Sequence, residues 1–231
     1  MGVLFAPLSL AEHATGPCRY DPTVPGGIFC IENWSPDVRS ASSIRPLLEL
    51  LRDGPGGDTR FIHQRVSTPQ ELRFYLGRFT HLGGYNVGFL ALHGAPNRVF
   101  VGAEELALED LLRWTRDFEH PSSLRDDDSD WRLDLSGKVL YLGSCASLRV
   151  STDRLEALRK ASNAIAICGY TKPVDWHPAA AFEVLLLSEL AHATSGKRQS
   201  VRAAFNRVAR TGGDLIENLQ FVSAPPLRTP G

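Results

Sequence analysis

The sequence predicts an α/β protein, a single three-layer α/β/α sandwich with a mainly parallel central sheet. Short apolar runs bounded by glycine and small polar residues recur along the chain. Val139–Leu142, which is followed by Gly143, is the clearest of them, and this pattern is typical of strands buried on both faces. Segments with leucines at helical spacing separate these runs. Alternation of the two kinds of segment favours a parallel sheet covered by helices on both faces.

Length and composition set the domain organisation. The chain has 231 residues, of which 43% are hydrophobic, enough for one large domain or two small ones. No internal repeat and no convincing linker is found, so we expect one domain at residues 27–223. A flexible amino-terminal arm is expected at residues 1–26, rich in proline and glycine, and a disordered tail at residues 224–231.

Charge and hydropathy exclude several classes of partner. The net charge is −1, which gives no reason to expect a nucleic acid or a membrane surface as partner. No stretch approaches the roughly 20 apolar residues of a membrane helix, and the amino terminus lacks the basic region of a signal peptide. We therefore expect a cytoplasmic, soluble protein.

The first half of the chain predicts three strands and two helices. The strands follow from apolar runs at residues 27–34 (GIFCIENW), 59–66 and 85–92. The first helix, at residues 42–53, has leucines at helical spacing and is stopped by the glycines and proline at 54–57. The second helix begins at Thr68, which forms a capping pair with Glu71 and is followed by a proline, and it runs to about residue 82.

The second half predicts a hairpin at residues 98–102 and a helix at residues 108–116. Residues 117–130 carry a proline, two serines and the run Asp126–Asp128, for which a solvated loop is favoured over a cation site. Residues 131–135 are expected to connect to the strand that ends before Cys145. The later elements are, in order, a helix at 152–162, a strand at 164–169, a loop at 170–178, helices at 179–193 and 199–210, and an edge strand at 219–223.

The four cysteines predict neither a metal site nor a disulfide framework. Cys30 and Cys168 lie in apolar strand-like runs and are interpreted as core residues, whereas Cys18 lies in a predicted loop. None of them has metal-ligand spacing, and a cytosolic setting disfavours disulfides. We therefore expect no metal and no cofactor.

The chemistry is predicted where two strands end. His93 follows one apolar strand and Cys145 follows another, each beside a glycine. In open α/β sheets this carboxyl edge is where ligands bind. A lone histidine or buried cysteine is more often structural, but the two together at such an edge form a nucleophile with its base. The N–H groups of Gly94 and Cys145 are the predicted oxyanion donors.

These residues resemble the caspase-like cysteine proteases, a group that includes metacaspases and the bacterial CHAT-domain branch. The histidine comes first, and the two residues lie 52 positions apart, close to the roughly 50 of caspases. Three further segments are similar to that branch: LHGAPNRVFVG, AIAICGYTKPVDW and SVRAAFNRVAR. The resemblance covers about residues 27–223.

The resemblance implies a protease mechanism. Cys145 would be the nucleophile and His93 the general acid and base, and a peptide or protein substrate would lie extended along residues 168–175. An activating regulatory protein, a second subunit or cleavage in the loop at 117–130 would control the domain. A role in bacterial defence or cell death is implied by the CHAT resemblance alone.

The resemblance also implies substrate-binding residues. The glutamine and arginine that surround the caspase cysteine are missing around Cys145, so aspartate specificity is not expected. Glu32 and Asp175 would favour a basic P1 side chain, as in metacaspases, although both are also read as ordinary solvated carboxylates. The aromatic residues predicted either to wall the pocket or to pack beside it are Trp34, Tyr170 and Trp176.

Three other interpretations compete with the protease. A class I amidotransferase requires a glycine two residues after the nucleophile, where Ser147 stands, and a later His-x-Glu, which the chain lacks. A flavodoxin-like nucleotide binder requires a glycine-rich loop that opens a helix, whereas the glycines at 54–57 end one. A catalytically silent caspase-like fold that acts as a protein-binding or scaffold module remains the alternative to the protease.

Overall fold

The computed structural model describes residues 26–34, 43–54, 58–113, 133–193 and 198–226. The strands are β1 (Gly27–Asn33), β2 (Phe61–Val66), β3 (Tyr85–Ala91), β4 (His93–Ala95), β5 (Arg98–Val101), β6 (Glu104–Ala107), β7 (Val139–Leu142), β8 (Ala166–Tyr170) and β9 (Phe221–Ala224). The helices are α1 (Arg45–Asp53), α2 (Pro69–His81), α3 (Leu108–Arg113), α4 (Thr152–Ala161), α5 (Trp176–Ala191) and α6 (Arg198–Leu219). The predictions for residues 1–25, Cys18, the acidic loop at 117–130 and the tail beyond residue 226 fall outside the described residues.

The centre of the protein is a six-stranded sheet in the order β2-β1-β3-β7-β8-β9. All neighbouring pairs are parallel except β8 and β9, which are antiparallel. Apolar side chains of each strand point alternately to two core clusters, so that Ile28 belongs to one cluster and Phe29 to the other. Helices α1, α5 and α6 contribute to the first cluster, and α2, α3 and α4 to the second. The predicted α/β class and mainly parallel sheet are confirmed.

Hydrogen bonds to carboxylates mark the starts of two helices, one through a local contact and one through a tertiary contact. Helix α2 begins with the predicted capping box, in which Thr68 Oγ1 accepts from the Glu71 N–H and Glu71 Oε2 accepts from the Thr68 N–H, both at 3.2 Å. Helix α1 starts at Arg45 rather than residue 42. The Ile44 N–H just before it donates to the Glu32 carboxylate at 2.8 Å. A side chain from β1 therefore fixes where α1 begins.

Two further predicted helix boundaries were wrong, the start of α5 for a local reason and the end of α6 because of tertiary packing. Helix α5 starts at Trp176 rather than residue 179, because Pro178 sits in the first turn, where no backbone N–H is required. Helix α6 continues past residue 210 to Leu219 with a kink at Gly212. Ile216 and Leu219 are buried in the core beyond that kink, so packing outweighs the low helix propensity of the glycines.

The strand predicted to end at residue 92 ends at Ala91, and His93 begins a separate strand. Strands β4, β5 and β6 form a second, antiparallel sheet in that order. The hairpin predicted at residues 98–102 is thus part of a three-stranded sheet. His93 consequently is exposed instead of lying buried at the end of a core strand. None of the described helices is both long and apolar enough to cross a membrane.

Candidate active site

The sheet order brings the two predicted catalytic residues to one place. Strands β3 and β7 are parallel neighbours with Leu90 opposite Leu142, so the residues that follow them meet at the carboxyl edge. A cavity of about 430 Å³ opens there and is lined by both His93 and Cys145. The other residues that line it include Glu32, Asn33, Ser43, Ile44, Phe89, Gly143, Val174, Trp176, Ala179 and Glu183.

The loop that carries Cys145 is held by backbone hydrogen bonds on both sides. Gly143 N–H donates to the Leu90 carbonyl at 3.0 Å, and Leu148 N–H donates to the Tyr170 carbonyl at 3.1 Å. Ala146 has a left-handed backbone with φ of 54°, and its N–H donates to the Lys172 carbonyl at 3.0 Å. A non-glycine residue in this conformation is uncommon and is maintained by its surroundings. Cys145 is therefore presented from a tight, fixed turn.

The backbone N–H of Cys145 is available to a ligand. Gly143, Ala146, Ser147 and Leu148 each donate their N–H to a backbone carbonyl. Within the part of the chain that the structure describes, the N–H groups of Ser144 and Cys145 find no such partner. An N–H left free beside a nucleophile is the kind of group that can stabilise a developing oxyanion.

The Cys145 thiol is partly exposed and contacts the loop after β8. Its Sγ accepts from the Val174 N–H at 3.5 Å and lies 3.8 Å from the Val174 carbonyl oxygen. The His93 side chain makes no hydrogen bond or ion pair with any described residue, so its imidazole is available for proton transfer. Cys30 and Cys168 are fully buried, and burial raises the pKa of each thiol. Of these three thiols, only Cys145 is placed for chemistry.

Gly94 lets the histidine strand approach the cysteine loop. A Cβ atom at this position would lie 2.5 Å from the Cys145 carbonyl oxygen and 2.8 Å from Ser144 Cβ. Contacts this short require the backbone to move. The absence of a side chain at Gly94 therefore sets the spacing between the two halves of the site.

We expect Gly94→Ala to separate His93 from Cys145 and to destabilise the fold by about 1–3 kcal/mol, as other overpacking changes do. Urea unfolding measures the change. Gly77→Ala is the matched control, because a Cβ on this helical glycine meets nothing within 4 Å. That control is expected to stabilise the protein by roughly 0.5–1 kcal/mol. Equal effects of the two changes would contradict the close-approach explanation.

Glu32 lines the cavity, yet its carboxylate is already engaged. Oε1 accepts from the Ile44 N–H at 2.8 Å, and Oε2 accepts from Ser43 Oγ at 2.8 Å and lies 2.7 Å from His63 Nε2. Burial alone would raise the pKa of Glu32, but the hydrogen bonds from His63, Ser43 and Ile44 bring it below its ordinary value. Glu32 therefore joins β1, β2 and the start of α1 beside the cavity.

The other residues predicted to bind substrate are divided between the cavity and its surroundings. Trp176 is 61% exposed and lines the cavity. Asp175 is exposed and precedes α5, and Trp34 is 43% exposed after β1; neither lines the cavity. Tyr170 is fully buried and packs in the core below the loop.

Sequence reasoning missed Glu183. It lies on α5, is 5% exposed and lines the cavity. The Tyr141 hydroxyl donates to its Oε1 at 2.8 Å, and Tyr141 is in turn 2.8 Å from the Tyr170 hydroxyl. Burial raises the pKa of Glu183 to about 7, with the Tyr141 bond acting in the opposite direction. The signal that could have found it is a single carboxylate in the apolar segment AAAFEVLLL.

Among the described residues, no three histidine, cysteine, aspartate or glutamate side chains are grouped to hold an ion. Glu32 and His63 form a buried pair with side chains 9% and 6% exposed. What the arrangement offers is a thiol, an imidazole and a free N–H at one cavity.

Neither the family models nor the curated proteins compared with this chain gave a match. What the protein does is therefore inferred from its fold and its cavity.

Proposed function

We propose that the protein is a caspase-like cysteine endopeptidase in which Cys145 and His93 form the catalytic dyad. The observation that supports this most is that the two residues follow adjacent parallel strands and line one cavity. The close approach of Gly94 to the Cys145 backbone joins the two halves of the site. Thiol and imidazole so placed are a nucleophile and its base.

The proposed reaction proceeds through an acyl-enzyme. His93 takes the thiol proton, and the sulfur of Cys145 attacks the carbonyl carbon of the peptide bond. The free N–H of Cys145 stabilises the oxyanion. The histidinium then protonates the leaving amine as the C–N bond breaks. Water, deprotonated by His93, hydrolyses the thioester and releases the acid and the thiol.

The substrate is proposed to lie along residues 171–175 of the predicted stretch 168–175, because residues 168–170 belong to the interior strand β8. Val174 presents both its N–H and its carbonyl oxygen beside Cys145 Sγ. An extended peptide in this position could take up those backbone groups as a neighbouring strand does.

The alternative is a silent caspase-like fold that binds another protein. It is favoured by one observation: the Cys145 thiol contacts the Val174 backbone, while His93 has no hydrogen bond to it among the described residues. Dyad geometry in ligand-free sites often tightens only when substrate binds, so the protease remains the conclusion.

The test combines turnover with thiol labelling. A panel of fluorogenic peptides varied at P1 is offered to the Cys18→Ser protein and to Cys18→Ser with Cys145→Ala, so that labelling of the folded protein by iodoacetamide reports Cys145. The protease predicts turnover that is lost with Cys145→Ala and labelling faster than that of free cysteine. Turnover that survives Cys145→Ala contradicts the role of the thiol. No turnover, together with labelling no faster than free cysteine, favours the binding module.

A further inference from the structure

Glu183 lies beside the proposed nucleophile on a helix that the dyad does not use. A Cβ atom at Gly143, two residues before Cys145, would lie 2.6 Å from the Phe89 ring and 3.1 Å from Glu183 Oε1. The missing side chain at Gly143 thus leaves room for the Phe89 ring and for the carboxylate. Glu183 lies on α5 and lines the same cavity as His93 and Cys145.

The carboxylate is fixed by a chain of hydroxyl groups. Because a carboxylate only accepts, the single proton of Tyr141 goes to Glu183, and the Tyr170 hydroxyl supplies the proton of the second bond. Burial raises the pKa of both phenols, so both remain hydrogen-bond donors at neutral pH. Glu183 is therefore held at one position rather than left to move with solvent.

The ionisable groups around Glu183 are mainly acidic or neutral, and the acidic one, Glu32, already has His63 and Arg65 as partners. From β1 it is faced by Cys30 and Glu32, from β7 and β8 by Tyr141 and Tyr170, and from the cavity by His93 and Cys145. No lysine or arginine is found among the described residues that line the cavity. A carboxylate buried without a cationic partner is costly, and a ligand that carries a positive charge would relieve that cost.

We propose that Glu183 is the specificity-determining residue of this cavity: it selects a ligand side chain that carries a positive charge, and its protonation switches that selection off. This deepens the proposed function and rests on it for the position of the substrate. The partner is a lysine- or arginine-like group of a peptide.

The structure assigns this selection to Glu183 rather than to the two carboxylates that the sequence suggested. Both oxygens of Glu32 already accept hydrogen bonds from Ser43, Ile44 or His63. Asp175 lies outside the cavity lining and is exposed. Among the described residues Glu183 has one hydrogen-bond donor, Tyr141, so its carboxylate retains capacity for a cation.

The proton sensitivity follows from where Glu183 titrates. With a pKa of about 7, the Glu183 carboxyl is ionised in roughly half of the ligand-free molecules at neutral pH. A cationic side chain binds the ionised form, so below that pKa each pH unit is expected to weaken its binding about tenfold. A neutral side chain of the same shape has no such dependence. Selectivity, rather than activity alone, should therefore change with pH.

The experiment compares two peptides that differ only in arginine or citrulline at P1. The ratio of their kcat/KM values is measured from pH 5.5 to 8.5, and titration of the dyad cancels in the ratio. Wild-type protein is expected to favour arginine by roughly ten- to hundredfold at high pH, as a charged hydrogen bond does, and to lose that preference as pH falls through about 7.

Two variants separate recognition from structure. Glu183→Gln keeps the shape and should give a ratio near one at every pH. Tyr141→Phe removes the hydrogen bond that keeps the Glu183 pKa from rising further. The pH at which half of the arginine preference is lost should therefore move to a higher value. A ratio that is independent of pH in wild type, or a preference for arginine that survives Glu183→Gln, overturns the proposal.

A binding measurement tests charge selection without requiring protease activity. Acetyl-arginine methylamide and acetyl-citrulline methylamide are titrated into the Cys145→Ala protein and followed by NMR. Preference for the arginine compound that is lost at low pH and with Glu183→Gln supports charge selection even if no peptide is cleaved. Turnover without any arginine preference in either assay overturns charge selection and leaves the protease intact.

Discussion

His93→Ala is expected to lower kcat/KM for peptide cleavage by roughly 10²- to 10⁴-fold, the usual contribution of a positioned acid–base group. The reason is that no other imidazole, lysine or arginine among the described residues lines the cavity of Cys145. Steady-state kinetics with the best peptide of the panel measures the loss.

His177→Ala is the matched control. His177 is also an exposed histidine, but it lies in the first turn of α5 and does not line the cavity. Its ring packs edge-on against Trp176 at 5.3 Å between centroids, so the control keeps the neighbourhood of the cavity and removes only an imidazole outside it. Its replacement should leave kcat/KM within about twofold, as most surface changes do. The double variant His93→Ala, Cys145→Ala should lose no more than Cys145→Ala alone, because members of one catalytic unit are not additive. Losses that add independently would contradict a dyad.

Glu32→Ala is expected to lower the free energy of unfolding by about 3–5 kcal/mol, because Ser43, Ile44 and His63 lose the carboxylate they contact and each buried polar group left without a partner costs roughly 1–3 kcal/mol. The side chains of Glu32 and His63 are only 9% and 6% exposed. The substitution also removes the acceptor of the Ile44 N–H just before α1. Urea unfolding at pH 7 measures the effect. Glu49→Ala, which breaks the exposed pair with Arg45, should change the stability by less than about 1 kcal/mol.

The same pair predicts a dependence on pH. The pKa of Glu32 lies below its ordinary value in the folded protein. The carboxylate therefore stabilises the fold fully at pH values above its ordinary pKa. This contribution is lost as the pH falls through the lower pKa of the folded state. The difference between wild type and Glu32→Gln should consequently be largest near neutral pH and shrink in acid. A difference that stays constant between pH 7 and pH 3 would contradict this assignment.

Residues whose signal is local were predicted well. The capping box at Thr68 and Glu71 and the apolar runs of β1, β3, β7 and β8 define their elements without help from the rest of the chain. Helix α6 was predicted too short, because the two glycines at 212 and 213 suggest a stop that packing of Ile216 and Leu219 overrides. Local propensity fails where burial contributes more.

The sequence by itself determined that this is an α/β protein and that a histidine and a cysteine follow two of its strands. Hydrophobic periodicity and position relative to a strand end are properties of a short stretch of chain. Only the tertiary structure decided that β3 and β7 are neighbours and that Glu183 lines the cavity. It also decided that the Glu32 carboxylate is already hydrogen-bonded by Ser43, Ile44 and His63. Strand order and the partners of a buried carboxylate depend on contacts between distant residues, which no local pattern encodes.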